Sequence, residues 1–172
     1  MNDTNKVFSM DDAEWQKIVK SIPVVCDLTE TTAEGVVRQV LAAVFEKNGL
    51  PMDKLDAMVS TVIAHSQSDI GFTAMHGFAI PHGYVSGLEK LLVGIGVFRP
   101  GSSIDFNAID GSRTHIVFVI VCSSPDHVGY RQFLARLCKC LISDDIVSRL
   151  ASVSPSNDLE TLLSGVGDIE EK

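Results

Sequence analysis

Membrane-length apolar runs are missing from this chain: no hydrophobic stretch approaches the roughly 18 to 20 residues that a bilayer-spanning helix requires. The polar start Met1-Asn2-Asp3-Thr4-Asn5-Lys6 also lacks a secretory pattern. These two absences predict a soluble, cytoplasmic protein with no membrane insertion. Basic residues are scarce, with 14 Lys and Arg against 22 Asp and Glu and a net charge of −8. That balance argues against nucleic acid or an anionic membrane as partner, since both are bound through clustered Lys and Arg. Four cysteines are present, Cys26, Cys122, Cys138 and Cys140, yet no pair of Cys-x-x-Cys elements joins them, so no zinc site is expected. They read as reduced thiols, Cys122 in the core and Cys138 and Cys140 on different sides of one helix. Internal repeats and interdomain linkers are absent as well.

What remains is a 172-residue chain with 45% apolar content, enough for one domain with a sizeable core. Residues 1–20 read as a polar lead-in with one short helix, capped by Ser9, carrying Asp11, Asp12 and Glu14 at its positive end and packing Trp15 and Ile18 on the body. Val24 to Leu28 suits a short strand. Thr31 or Thr32 caps the first strong helix, whose apolar pairs Val36/Val37, Val40/Leu41 and Val44/Phe45 recur about every four residues until Asn48-Gly49 ends it. After Pro51, Met52, Leu55, Met58/Val59 and Val62/Ile63 share one face of a second helix that pairs with the first. From His65 to His76 the periodicity fades into a loop.

Leu91 to Phe98 and a shorter segment at Ile104 to Phe106, separated by Pro100-Gly101, predict a hairpin. Ile116 to Val121 is rich in β-branched residues and apolar on both faces, the signature of a central buried strand. A helix follows from Val128 to Leu141. Ile146, Val147 and Leu150 mark another, and Asn157 with Glu160 resembles the capping box of a last one before an acidic tail at 166–172. The order of elements is that of an α/β domain over residues 21–165.

The stretch with chemical potential is Gly77-Phe78-Ala79-Ile80-Pro81-His82-Gly83. Pro81 supplies no N–H and biases Ile80 towards an extended conformation, so Phe78 to Ile80 reads as a strand ending there, with His82 at its mouth. Gly83, without a side chain, lets another backbone, a phosphate or a partner protein come close to the imidazole. A neutral imidazole nitrogen is a competent nucleophile towards a phosphoryl group, and the nitrogen–phosphorus bond can pass that group onward. Alignment and charge neutralisation then supply most of the catalysis, with backbone N–H groups near Gly83 and the Thr73 hydroxyl as candidate phosphate donors.

Taken with Val93-Gly94-Ile95-Gly96-Val97, Ile104-Asp105-Phe106-Asn107-Ala108-Ile109-Asp110-Gly111 and the strand Val117 to Val121, that stretch resembles the fructose/mannitol-type enzyme IIA domain of the bacterial sugar phosphotransferase system, including its nitrogen-regulatory branch. The resemblance implies a mixed β-sheet flanked by helices. It also implies that His82 accepts phosphate from the phosphorylated carrier HPr and gives it to a IIB domain, or reports phosphorylation state to a regulatory protein. No cofactor or metal is implied.

Three departures stand out. Where the family has Arg-Glu and Ser-Thr in the loop before the histidine, this chain has Ser66-Gln67 and Gly71-Phe72; where it has a second histidine in the helix after the central strand, this chain has Tyr130. A tyrosine donates one hydrogen bond but does not become a cation. His127 in the preceding loop is a candidate substitute and Arg131 a candidate phosphate-facing charge, although each also suits a plainer role, a solvated pre-helix residue and a surface helix charge. His65, His76 and His115 read as loop or strand-end residues without chemistry. Without a fixed cation the transition state loses about 3 to 4 kcal/mol, which slows transfer without abolishing it. The alternatives are a IIA-like binding module that is never phosphorylated, and a metal-dependent hydrolase using His76, His82 and His127. The phosphate relay predicts a His82 ring open to solvent at a strand's end.

Overall fold

In chain order the computed structural model contains α1 (Asp12–Ser21), β1 (Val24–Val25), α2 (Ala33–Asn48), a 3-10 turn (Met52–Lys54), α3 (Leu55–Ser66), β2 (Phe78–Ala79), β3 (His82–Tyr84), β4 (Leu92–Val97), β5 (Ile116–Cys122) and α4 (Val128–Leu141). It describes residues 10–67 and 71–142. Ser9, the expected helices around Ile146 and Asn157 and the acidic tail lie outside the described residues.

All seven residues of β5 are buried. It runs antiparallel to β4 along one edge and parallel to β2 and β3 along the other, while β1 adds parallel to β4. The sheet is therefore mixed, with the all-apolar strand at its centre, as such a strand requires. Side chains alternate across it. Ile116, Phe118, Ile120 and Cys122 share one core layer with Trp15, Val19, Phe133 and Leu137 from α1 and α4. Val117, Val119 and Val121 share the other with Val40, Val44, Val59 and Val62 from α2 and α3. Each fully buried aliphatic or aromatic side chain stabilises the fold by about 1.5–3 kcal/mol, so this two-sided strand carries much of the core.

The sequence explains the helix ends. Thr32 accepts the amide of Gly35 and caps α2, and α2 lies close on β4 because Gly94 and Gly96 have no side chains there. A Cβ at Gly94 would stand 2.6 Å from Val44 Cγ2, and one at Gly96 would stand 2.7 Å from Val40 Cγ2. α1 is capped by Asp11, which accepts the amide of Glu14 at 2.8 Å, where the sequence pointed to Ser9. Trp15 of α1 stacks on Phe133 of α4 at 5.2 Å, and the Arg136 guanidinium lies 4.8 Å over the Trp15 ring. Among the described residues no helix is long and apolar enough to cross a membrane.

Two expectations need correcting. β4 forms its hairpin with β5, from Leu92 opposite Val121 to Val97 opposite Ile116, and Ile104 makes only an isolated bridge to Thr114. The polar flanks of Ile104 bury little, whereas pairing with β5 covers apolar residues on both faces. The second correction concerns the strand before His82. After a break at Ile80-Pro81 it resumes as β3, with His82 opposite Ile120, Gly83 opposite Val121 and Tyr84 opposite Cys122. Pro81 lacks a donor, but its carbonyl accepts the Ile120 amide at 3.1 Å, so the ladder loses little at the break.

Candidate functional site

His82 begins β3 and is buried, with 5% of its surface exposed. The expected solvent-open ring is therefore not what the chain builds: because β3 continues past Pro81, the imidazole is drawn between the sheet and its covering helices. Its Nδ1 lies 2.8 Å from the Ile80 carbonyl oxygen. A carbonyl only accepts, so Nδ1 carries the proton and Nε2 carries the lone pair. Burial pushes the His82 pKa below its ordinary value; the bond to Ile80 opposes that shift and the neighbouring His65 adds to it. The ring is held as a neutral imidazole of one tautomer.

Three rings surround it. His65 lies edge-on with centroids 4.8 Å apart, and Tyr84 and Tyr130 each stand at 6.1 Å. His65 also meets the Tyr84 ring at 5.0 Å. The Tyr84 hydroxyl donates to the Tyr130 hydroxyl at 3.3 Å, and burial pushes the Tyr130 phenol well above its ordinary range, so it stays protonated.

Of the residues singled out from sequence, Tyr130 reaches His82. The others are placed differently. His127 caps α4, its Nδ1 accepting the amide of Tyr130 at 3.1 Å, so the ring satisfies an orphan helix donor and is not a substitute second histidine. Arg131 follows on the exposed flank of α4. Thr73 sits in a left-handed conformation with φ 51°. It lies in a segment fastened to the 109–112 loop by Ile109 N to Ala74 O, His76 N to Asp110 Oδ2 and Gly77 N to Ser112 Oγ. Among the described residues the Thr73 hydroxyl makes no hydrogen bond to His82. Of the three approaches left open at Gly83, the structure shows a backbone: a Cβ there would stand 3.2 Å from Val62 Cγ2 and 3.3 Å from Val62 Cα.

The residue missed by the sequence reading is His65. It belongs to the last turn of α3, one turn past Val62, and not to the loop. Its neighbour Ser66, at the place of the family's arginine, is buried and donates to the Val62 carbonyl at 2.8 Å. Phe72, at the place of the threonine, packs edge-on against Phe106 at 5.0 Å. His76 is an exposed loop residue whose Nδ1 lies 3.6 Å from Asp110, and His115 donates from Nδ1 to the Ser102 carbonyl at 3.2 Å. The metal-site alternative of His76, His82 and His127 has no counterpart. Among the described residues no group of three or more His, Cys, Asp or Glu side chains is placed to hold a metal ion.

Comparison with known proteins places these features in context. The family described as phosphoenolpyruvate-dependent sugar phosphotransferase system, EIIA 2, matches residues 17–165. A nitrogen regulatory protein of Bradyrhizobium diazoefficiens is 33% identical over 97 residues, which are 55% of this chain and 60% of that relative. The match thus spans less than two thirds of that relative's length. The crystal structure of nitrogen regulatory protein IIA-Ntr from Neisseria meningitidis superposes with a TM-score of 0.72 at 18% identity, covering 86% of this chain and 99% of that one. Enzyme IIA of mannitol from Escherichia coli, in its complex with phosphorylated enzyme IIB, superposes with a TM-score of 0.61 at 14% identity, covering 83% and 94%. At such identities the superpositions establish the fold.

Proposed function

The chain belongs to the EIIA 2 family of the sugar phosphotransferase system, and from that premise we propose that it is a phosphohistidine carrier. Nε2 of His82 accepts a phosphoryl group from a phosphorylated HPr-like protein. It then yields the group to a IIB domain or holds it as a signal for a regulatory protein.

The observation that carries this reading is the 2.8 Å bond from His82 Nδ1 to the Ile80 carbonyl. It fixes the tautomer that leaves Nε2 as the nucleophile, and burial keeps the ring neutral. In the transfer, the Nε2 lone pair forms the new N–P bond as the donor's N–P bond breaks and its electron pair returns to the donor ring. The proton stays on Nδ1, which goes on donating it to the Ile80 carbonyl. The phosphorylated ring keeps that proton and its positive charge, which makes it a better leaving group for the onward step. The hydroxyls of Tyr130 and Tyr84, whose rings stand 6.1 Å from that of His82, are candidate donors for the phosphoryl oxygens. With 5% of the residue exposed, a carrier reaches Nε2 only at that remnant of surface or after the surrounding rings turn aside.

Incubating the full chain with phosphorylated HPr tests this. Acid-labile label on His82, absent from His82→Ala, is the expected result; unimpaired labelling of His82→Ala overturns the assignment. The burial of His82, together with Ser66 at the family's arginine place, favours a second reading, a IIA-like regulatory binding module that is never phosphorylated. That reading predicts no label on the wild-type chain and a partner bound equally well by wild type and His82→Ala.

A further inference from the structure

Among the described residues the ring cluster around His82 has little charge of its own. His82 is held neutral by burial, the Tyr130 phenol and the Cys122 thiol beside it are pushed towards their protonated forms, and Tyr84 joins Tyr130 through its hydroxyl. The charged pair Arg38–Asp56 lies at the opposite end of α3. On α4, His127 is engaged as a cap and Arg131 lies on the exposed flank. A phosphoryl group brings roughly two negative charges at neutral pH, of which the positive charge of the phosphorylated ring offsets one. In a desolvated pocket such charge is costly unless a cation is fixed beside it.

Resting on the phosphocarrier reading above, we infer that His65 is the positioning residue that supplies this cation, taking up a proton as His82 is phosphorylated. The rings are 4.8 Å apart between centroids and meet edge to face. No water layer fits between them, so charge on His82 acts on His65 across a low-dielectric gap. In the resting protein the same proximity disfavours a second positive charge, since His65 lowers the His82 pKa. One histidine thus holds the phosphoryl group and the other the proton that offsets the negative charge left over. The proton comes from solvent as the phosphoryl group arrives and returns to it on transfer. The placement follows from the fold: Met58, Val62 and His65 share one face of α3, which lies against β3 where Gly83 has no side chain.

The full chain, labelled with ¹⁵N-histidine, is treated with phosphoramidate as a small phosphoryl donor and followed by ³¹P and ¹⁵N NMR. The expected result is a phosphohistidine signal at His82 together with movement of the His65 ring nitrogens to imidazolium positions. The rate of phosphoryl loss should show a pH step that His65→Gln lacks, with faster loss at neutral pH in that variant because the cation beside the buried phosphoryl group is gone. His65 nitrogens unmoved in the labelled wild type, or a His65→Gln pH profile matching wild type, overturns the inference and leaves the carrier reading standing. No phosphohistidine in the wild type, from phosphoramidate or from phosphorylated HPr, overturns both. The wild-type spectrum decides even where the variant misfolds.

Discussion

Gly83 lies beneath the backbone of Val62: a Cβ built on it would stand 3.2 Å from Val62 Cγ2, 3.3 Å from Cα and 3.4 Å from the amide nitrogen. This contact sets how closely α3 rides on β3, and hence how closely His65 approaches His82. Gly83→Ala therefore has two expected effects. Overpacking against backbone destabilises the fold by about 1–3 kcal/mol, read as a lower urea midpoint. The His65–His82 contact also loosens, read as a changed ¹⁵N shift at His82. A Gly83→Ala protein with wild-type midpoint and shifts would show that α3 is not seated by this glycine.

The depressed pKa of His82 makes stability depend on pH with a definite sign. An unfolded-chain histidine takes its proton near pH 6.5, whereas the folded ring resists it because burial disfavours the charge. The unfolded state therefore binds the proton first as pH falls. The contribution of the neutral ring is complete above about pH 6.5 and is lost as pH drops through the lower folded value. Urea midpoints of wild type should decline over that window more steeply than those of His82→Gln. Parallel declines would mean that the ring titrates alike in both states.

Thr114 presents the opposite situation, a buried polar group that the fold does not use. Its side chain is 1% exposed and its Oγ1 has no hydrogen-bond partner among the described residues, although its backbone pairs with Ile104 in both directions. An unsatisfied buried hydroxyl costs about 1–3 kcal/mol. Thr114→Val keeps the shape and removes the hydroxyl, so its thermal midpoint should rise; a fall would reveal a partner for the hydroxyl.

Much of the fold is legible in the sequence because its signals are local. The near-four-residue repeat with Thr32 and Gly49 at its ends marks α2, and Ile116 to Val121 declares a strand buried on both faces. α4 spans Val128–Leu141, as its periodicity predicts. What the sequence hides is set by tertiary pairing. The partner of β4 is chosen by which neighbour covers more apolar surface, and the Pro-His-Gly stretch reads as the end of a strand because nothing local reveals that β5 extends alongside it. His65 was recoverable. Extending the stripe of Met58 and Val62 by one turn places it on the sheet-facing side of α3, but a histidine and three polar residues after an apolar run look like a loop.

Trp15 shows that the N-terminal helix belongs to the core. The ring is fully buried and stacked on Phe133, and Arg136 spans it while bonding Asp12 Oδ1 at 2.8 Å and the Met10 carbonyl at 3.1 Å. Trp15→Ala should destabilise the protein by about 3–5 kcal/mol, far more than the loss of a peripheral segment. An urea midpoint close to wild type would detach α1 from the cooperative unit.

Tyr130 occupies the place where a second histidine would stand, and its contribution to phosphoryl transfer can be separated from its packing. The ring is buried 6.1 Å from His82 and its hydroxyl accepts from Tyr84, so its own proton is available to an incoming phosphoryl oxygen. Tyr130→Phe preserves the ring and deletes that donor. Loss of one preorganised donor slows such reactions by roughly 100-fold to 1000-fold, and the expected result is a drop of that order in the rate of labelling from phosphorylated HPr with an unchanged thermal midpoint. Tyr84→Phe should cost less, because the Tyr130 hydroxyl keeps its proton and loses only the neighbour that donates to it. Equal rates for wild type and Tyr130→Phe would leave His65 as the local source of stabilisation, since the phenol would then serve only to fill space against His82.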